Sequence, residues 1–148
     1  AVAEHARFLV ILIGQQFDSV IYFSSRPSAV SYNPLPSGGS NYGLTNDKLK
    51  NLVAERRSAF NSFNQLDSLT AIPSEMLFAS ASGLDPNISP EAAVLQVDRI
   101  SKARNFSTTQ KQMLMNCVND LSVGPQFLLF GESRITVLML NLELDEIK

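Results

Sequence analysis

Apolar positions along this chain fall into short blocks whose spacing changes from one block to the next. Phe8–Ile13 and Val20–Phe23 are brief apolar, β-branched runs separated by GQQFDS, and they read as two strands or extended segments. From Asn46 to Gln65 the period lengthens. Leu49, Leu52, Val53, Phe60 and Phe63 share one helical face, while Asp47, Lys48, Lys50, Glu55 and Arg57 lie elsewhere, with Thr45 or Asn46 as N-cap. Ser89-Pro90-Glu91 then opens a helix to Arg104: a capping hydroxyl, proline in the first turn, and an acid at the positive end of the dipole. Ala93, Gln96, Val97 and Ile100 share one side of it, so an amide sits within an apolar face. Ser107 with Gln110 forms a capping box for a further helix whose stripe is Leu114, Cys117, Val118 and Leu121.

The last block, QFLLF-GES-RITVLMLNLELD, predicts a hairpin turning at Gly131, its second strand apolar on both faces and therefore covered. Asn141 interrupts that apolar run and needs a hydrogen-bonding partner, most simply the backbone of a neighbouring loop. About three helices packed on a small sheet that includes the C-terminal hairpin make a single compact α+β domain spanning 1–148.

Two segments break every period. Arg26 to Thr45 is rich in Pro, Ser, Gly, Asn and Tyr, and loops longer than about 12–15 residues in a compact domain are usually functional or disordered. SASGLDPNIS, from Ser80, is the second. The run SGGSN within the first brings phosphate binding to mind, because glycines let backbone N–H groups approach an anion. A phosphate loop, however, joins a strand to a helix and is followed by Lys-Ser or Lys-Thr. Here Ser40-Asn41 follows and Tyr42–Asn46 intervenes, so a shaped loop is the better reading. Asp85 stands between Leu84 and Pro86 with no second acid or histidine beside it, and reads as a turn residue before a general base or metal ligand. Gln96 and Arg99 lie on adjacent parts of one helix, as a satisfied core amide beside a rim guanidinium or as a pair that binds a ligand.

Composition narrows the chemistry. The chain has 148 residues, 45% of them apolar, enough for a sizeable core. Its formal charge of −2 and lack of any basic run argue against nucleic acid as a partner. Cys117 is the single cysteine, so there is no intrachain disulfide and no Cys-rich zinc site; it reads as a small core residue. His5 is the single histidine and lies near the start of the chain, a poor place for a preorganised base, so no histidine-based catalytic set is expected. The acids Glu143, Asp145 and Glu146 read as a solvated end. The apolar run FLVILIG falls short of the roughly 20 residues a membrane span needs and lacks the flanks of a signal peptide, so the chain reads as a soluble piece.

Six stretches in order resemble KdpC, the accessory subunit of the bacterial Kdp potassium-transporting P-type ATPase. They are LIGQQF at Leu12–Phe17, YFSSRPSA at Tyr22–Ala29, YNPLPSGGSN at Tyr32–Asn41, SASGLDPNISPEAA at Ser80–Ala93, LQVDRISKAR at Leu95–Arg104 and VLMLNLELD at Val137–Asp145. The resemblance implies a single-pass cell-membrane protein, an N-terminal spanning helix followed by one extracytoplasmic (periplasmic) domain, and this chain looks like that domain without the helix. It implies no catalysis of its own: ATP hydrolysis belongs to KdpB and the potassium path to KdpA, with the small KdpF subunit alongside. KdpC in that family is held to stabilise the assembly of KdpA with KdpB.

Two functions follow from the resemblance. In the first, Arg26–Asn46 and Ser80–Ile88 fold together into a polar, backbone-rich surface that docks on KdpA. Arg26, Tyr32, Asn33, Ser37, Gly38, Gly39, Asn41, Ser82, Gly83 and Asp85 are its candidate contacts. The alternative is a nucleotide-binding chaperone that raises the ATP affinity of KdpB. The family's proposal concerns a glutamine, for which Gln96 in LQVDR is the best positional match, with Arg99 and the Ser37–Ser40 backbone beside it. The LPSGGS stretch only faintly echoes the ABC-transporter signature. An extracytoplasmic domain meets little ATP, and Gln96 on an apolar face is better placed for packing, so nucleotide binding ranks second. No catalytic residue, metal set or tightly bound cofactor is expected.

Overall fold

The computed structural model describes residues 11–125 and 130–147. His5, the first half of the Phe8–Ile13 run and four of the five residues of QFLLF lie outside them. Helix α1, Asp47–Asn64, starts where the side chain of Asn46 accepts a hydrogen bond from the Lys48 N–H at 2.8 Å. It stops at Gln65, whose left-handed φ of 56° turns its N–H back onto the Asn61 and Ser62 carbonyls. After a 3₁₀ turn at Ser74–Met76 and a two-residue strand β1, Asn87–Ile88, helix α2 runs Pro90–Ala103. Its cap is Ser89, which accepts from the Ala92 N–H at 3.1 Å. Helix α3, Thr108–Asp120, carries the full capping box between Ser107 and Gln110.

Strand β2, Ile135–Thr136, pairs antiparallel with β1 in the register Asn87↔Thr136 and Ile88↔Ile135. An isolated bridge, Val123↔Arg134, extends the ribbon. The α+β class holds, with four α-helices and this small sheet among the described residues.

The C-terminal segment corrects the sequence reading. In place of a long second hairpin strand, Val137–Glu146 is helix α4. Val137, Leu140, Asn141 and Leu144, at helical spacing, are buried, whereas Leu142, Glu143, Asp145 and Glu146 are exposed. VLMLNLEL is apolar at nearly every position, so it fits either period, and its Leu, Met and Glu favour helix once the β-branched ITV ends. Val20–Phe23 is the second correction, because it joins no sheet among the described residues and runs as an irregular segment.

Helix α2 is the middle of the core, packing on α1 and on α3, which in turn packs on α4. Ala92, Ala93, Val97 and Ile100 on α2 meet Leu114 and Val118 of α3 and Leu140 and Leu144 of α4 within one buried cluster. Phe23 belongs to the same cluster and is wholly buried. Each such large side chain contributes about 1.5–3 kcal/mol through its burial.

Candidate functional site

Residues 19–24 lack a strand neighbour among the described residues, yet each of their six carbonyls has a side-chain donor. Arg99 donates through Nη1 to the Ser19 and Val20 carbonyls and through Nη2 to that of Tyr22. Arg104 Nε reaches the Ile21 carbonyl at 2.9 Å. Asn141 Nδ2 donates to the Phe23 carbonyl, and Gln96 Nε2 to that of Ser24. Side chains from α2 and α4, with Arg104 at the end of α2, do here what a neighbouring strand does in a sheet, because buried backbone polar groups must be paired.

Gln96 and Arg99, the two nucleotide candidates, therefore meet inside the protein. Gln96 is completely buried; its Oε1 accepts from the Ser24 N–H and from Arg99 Nη2, and its Nε2 donates to the Ser24 and Ala92 carbonyls. Arg99 is 3% exposed and directs its remaining donor, Nε, to Asn64 Oδ1 at 2.9 Å. Its guanidinium carbon stands 4.4 Å from the Phe63 ring centroid. Burial pulls the Arg99 pKa down to about 10, which leaves it charged at neutral pH.

The two irregular segments do fold against each other. The Gly38 N–H donates to the Ser82 carbonyl at 3.0 Å, and the Gly14 N–H donates to that of Leu84 at 2.7 Å. The Ser28 hydroxyl donates to the Gly83 carbonyl at 2.7 Å and accepts from the Val30 and Tyr32 N–H groups. Arg26 Nη1 and Asp85 Oδ2 form an ion pair at 2.7 Å. Asp85 Oδ1 accepts from the backbone and side-chain N–H groups of Asn87, so it is a turn residue as well as an ion-pair partner. The Tyr32 hydroxyl donates to the Arg26 carbonyl, and burial raises its pKa.

Glycine makes this approach possible at two places. A Cβ on Gly83, where φ is +70°, would lie 2.5 Å from Val30 Cγ2 and 2.9 Å from the Gly38 carbonyl oxygen. One on Gly14 would lie 2.7 Å from the Asp85 carbonyl oxygen.

The ten surface candidates divide by exposure. Asn33, Ser37, Asn41 and Ser82 are exposed; Arg26, Tyr32, Gly38, Gly39 and Asp85 are half-buried; Gly83 is buried. The first group is free to meet a partner, and the others hold the face in shape. Sequence reasoning missed Gly14 and Ser28. The signal for Ser28 was its place after Pro27, where a serine hydroxyl bonds the next backbone N–H groups, while Gly14 within LIGQQF gave no cue to so distant a neighbour. Beside this face, a groove of about 530 Å³ runs between α1 and residues 16–32, lined by Phe17, Tyr32, Arg56, Phe60, Phe63 and Met76 among others.

Among the described residues no three His, Cys, Asp or Glu side chains are grouped to hold a metal, and no helix is long and apolar enough to cross a membrane. The family model KdpC, the K+-transporting ATPase c chain, matches residues 7–146. The chain belongs to the KdpC family. It is 42% identical over 139 residues to the potassium-transporting ATPase KdpC subunit of Escherichia coli O9:H4 (strain HS), covering 92% of this chain and 71% of that protein. The KdpC subunit of Paraburkholderia phytofirmans is 44% identical over 140 residues, covering 93% and 71%. That of Bacillus cereus (strain G9842) is 40% identical over 136 residues, covering 92% and 69%. Membership of the KdpC family makes the chain a subunit of a potassium-transporting ATPase and not a catalytic enzyme on its own.

Proposed function

We propose that this chain is a non-catalytic subunit that stabilises the assembly of KdpA with KdpB, by docking on KdpA the face built from Arg26–Asn46 and Ser80–Ile88. KdpF completes the set of partners, and the domain lies on the extracytoplasmic side of the cell membrane, held there by a spanning helix. The observation that carries this reading is the cross-bracing of two loops without regular structure: the Gly38–Ser82 and Ser28–Gly83 hydrogen bonds and the Arg26–Asp85 ion pair. Backbone ordering costs about 1–2 kcal/mol per residue, so long ordered loops point to a use beyond connecting helices. Gln96 and Arg99 favour this reading over nucleotide binding, because their hydrogen-bonding groups are engaged inside the domain.

The test is co-purification of the Kdp complex carrying Ser37→Arg or Asn41→Asp in this subunit. Both positions are exposed, and Asp tolerates the left-handed φ of 54° at Asn41. Less KdpA and KdpB should be recovered while the isolated chain unfolds at an unchanged urea midpoint. Normal assembly with both variants rejects the docking face. Calorimetric titration with millimolar ATP examines the alternative, and a saturable isotherm weakened by Gln96→Leu would favour it.

A further inference from the structure

One stretch of the docking face differs in charge from the rest of the molecule. From Pro27 to Asn46 there is no Asp, Glu, Lys or Arg, in a chain that is 18% charged. Within that stretch, Leu35 is 83% exposed, Leu44 85% and Tyr42 40%. An added Cβ at Gly38 or Gly43 would meet nothing within 4 Å, so the outer side of this loop is open. The polar groups there are those of Ser, Asn, Thr, Tyr and backbone. Single exposed leucines are ordinary on any surface. Two nearly bare leucines and a tyrosine in one uncharged loop, pinned from behind by Ser82 and Gly83, are less so.

We infer that this loop fits an uncharged, partly apolar protein surface, with Leu35 and Leu44 as its anchors, so that docking is insensitive to ionic strength. The inference rests on the docking reading above and adds to it the chemistry of the partner. A charged partner surface would lose its hydration against a loop that carries no opposite charge to replace it. An uncharged one loses little and gains the burial of both leucines. Lipid is the less fitting occupant, because a peripheral membrane-binding patch normally combines its apolar groups with Lys or Arg facing the headgroups, and this stretch has neither.

The test is assembly of the Kdp complex, measured by co-purification and by the apparent Kd of this subunit for the remainder, with Leu35→Asp, Leu44→Asp and the milder Leu35→Ser. Both aspartate variants should weaken binding at least about tenfold, because a central apolar contact becomes a desolvated charge. Wild-type binding should change by less than about twofold between roughly 0.1 M and 1 M salt, conditions that screen surface ion pairs strongly. Circular dichroism of the isolated variants should match wild type, since the replaced side chains stand in solvent.

If Ser37→Arg and Asn41→Asp impair assembly but the leucine variants do not, or if salt abolishes binding, the face docks through polar recognition and the inference fails alone. If none of these variants changes assembly, the docking reading fails with it. Binding of the wild-type chain to phosphatidylcholine vesicles that Leu35→Asp removes, with assembly unchanged, assigns the loop to lipid and overturns the inference.

Discussion

Asn141 on α4 grips both backbone polar groups of Phe23: its Oδ1 accepts from the Phe23 N–H at 2.8 Å and its Nδ2 donates to the Phe23 carbonyl at 3.0 Å. The pair of bonds imitates one rung of an antiparallel sheet, made by a side chain. Asn141→Leu keeps the volume but leaves two buried backbone groups unpaired. We expect it to destabilise the chain by about 2–4 kcal/mol, read as a lowered urea midpoint at unchanged m-value. A midpoint within experimental error of wild type would show that this bridge does not support the fold.

Arg99 uses each of its five N–H groups internally, counting the pair on Nη1 that serves Ser19 and Val20. Lysine keeps the charge but has three donors on a compact head, so Arg99→Lys should cost about 2–4 kcal/mol despite unchanged net charge. With its folded pKa drawn down to about 10, below the ordinary guanidinium value, the guanidinium is charged in both states at neutral pH, and its contribution is flat there. Between those two values the unfolded chain binds the extra proton, so this group favours the folded state increasingly as pH rises. Urea titrations of wild type and Arg99→Lys from pH 6 to 9 should therefore give a constant difference.

Cys117 is packed at the edge of the core, and burial raises its thiol pKa above the ordinary 9.0, with Glu143 and Asp120 adding to the effect. Little thiolate is available near neutrality. Iodoacetamide should modify the native chain at least about tenfold more slowly than the urea-unfolded chain at pH 8. A raised folded pKa also means that the stability tied to the neutral thiol is present below pH 9 and lost as pH climbs through the folded value. Equal alkylation rates in the two states would show an accessible, ordinary thiol.

Two glycines of the proposed docking face make a controlled comparison. Gly83→Ala places a methyl against Val30 and the Gly38 backbone at a left-handed φ, and should cost about 2 kcal/mol or more. Gly38→Ala puts its methyl in open space, and the urea midpoint should move by no more than about 0.5 kcal/mol equivalent. If both variants are equally stable, the two loops are not held as close as described.

The helices at Asp47–Asn64, Pro90–Ala103 and Thr108–Asp120 were legible because each starts with a local chemical signal: Asn46, Ser89-Pro90, and Ser107 with Gln110. Helix α4 was not. Thr136 makes no capping bond, its hydroxyl donating instead to Asn87 Oδ1, and the run that follows is apolar at almost every position. The need of Asn141 for a backbone partner in a loop was readable, although the partner was not. The same limit applies to Gln96, whose partner Ser24 lies 72 positions away, so a local pattern cannot separate a packed amide from one awaiting a ligand. The association of the two irregular segments was expected from the family resemblance that both carry, while the glycine at position 14 that admits the second segment was visible only in three dimensions.

The clamp on residues 19–24 touches main-chain oxygens and nitrogens, while Ser19 and Val20 turn their side chains outward. Main-chain atoms are the same whatever amino acid occupies a position. The wording of the outer surface at these two positions is therefore uncoupled from the grammar of the interior, which is carried by Gln96, Arg99, Arg104 and Asn141. Relatives of this chain are free to rewrite that stretch for a different neighbour and still inherit the same core.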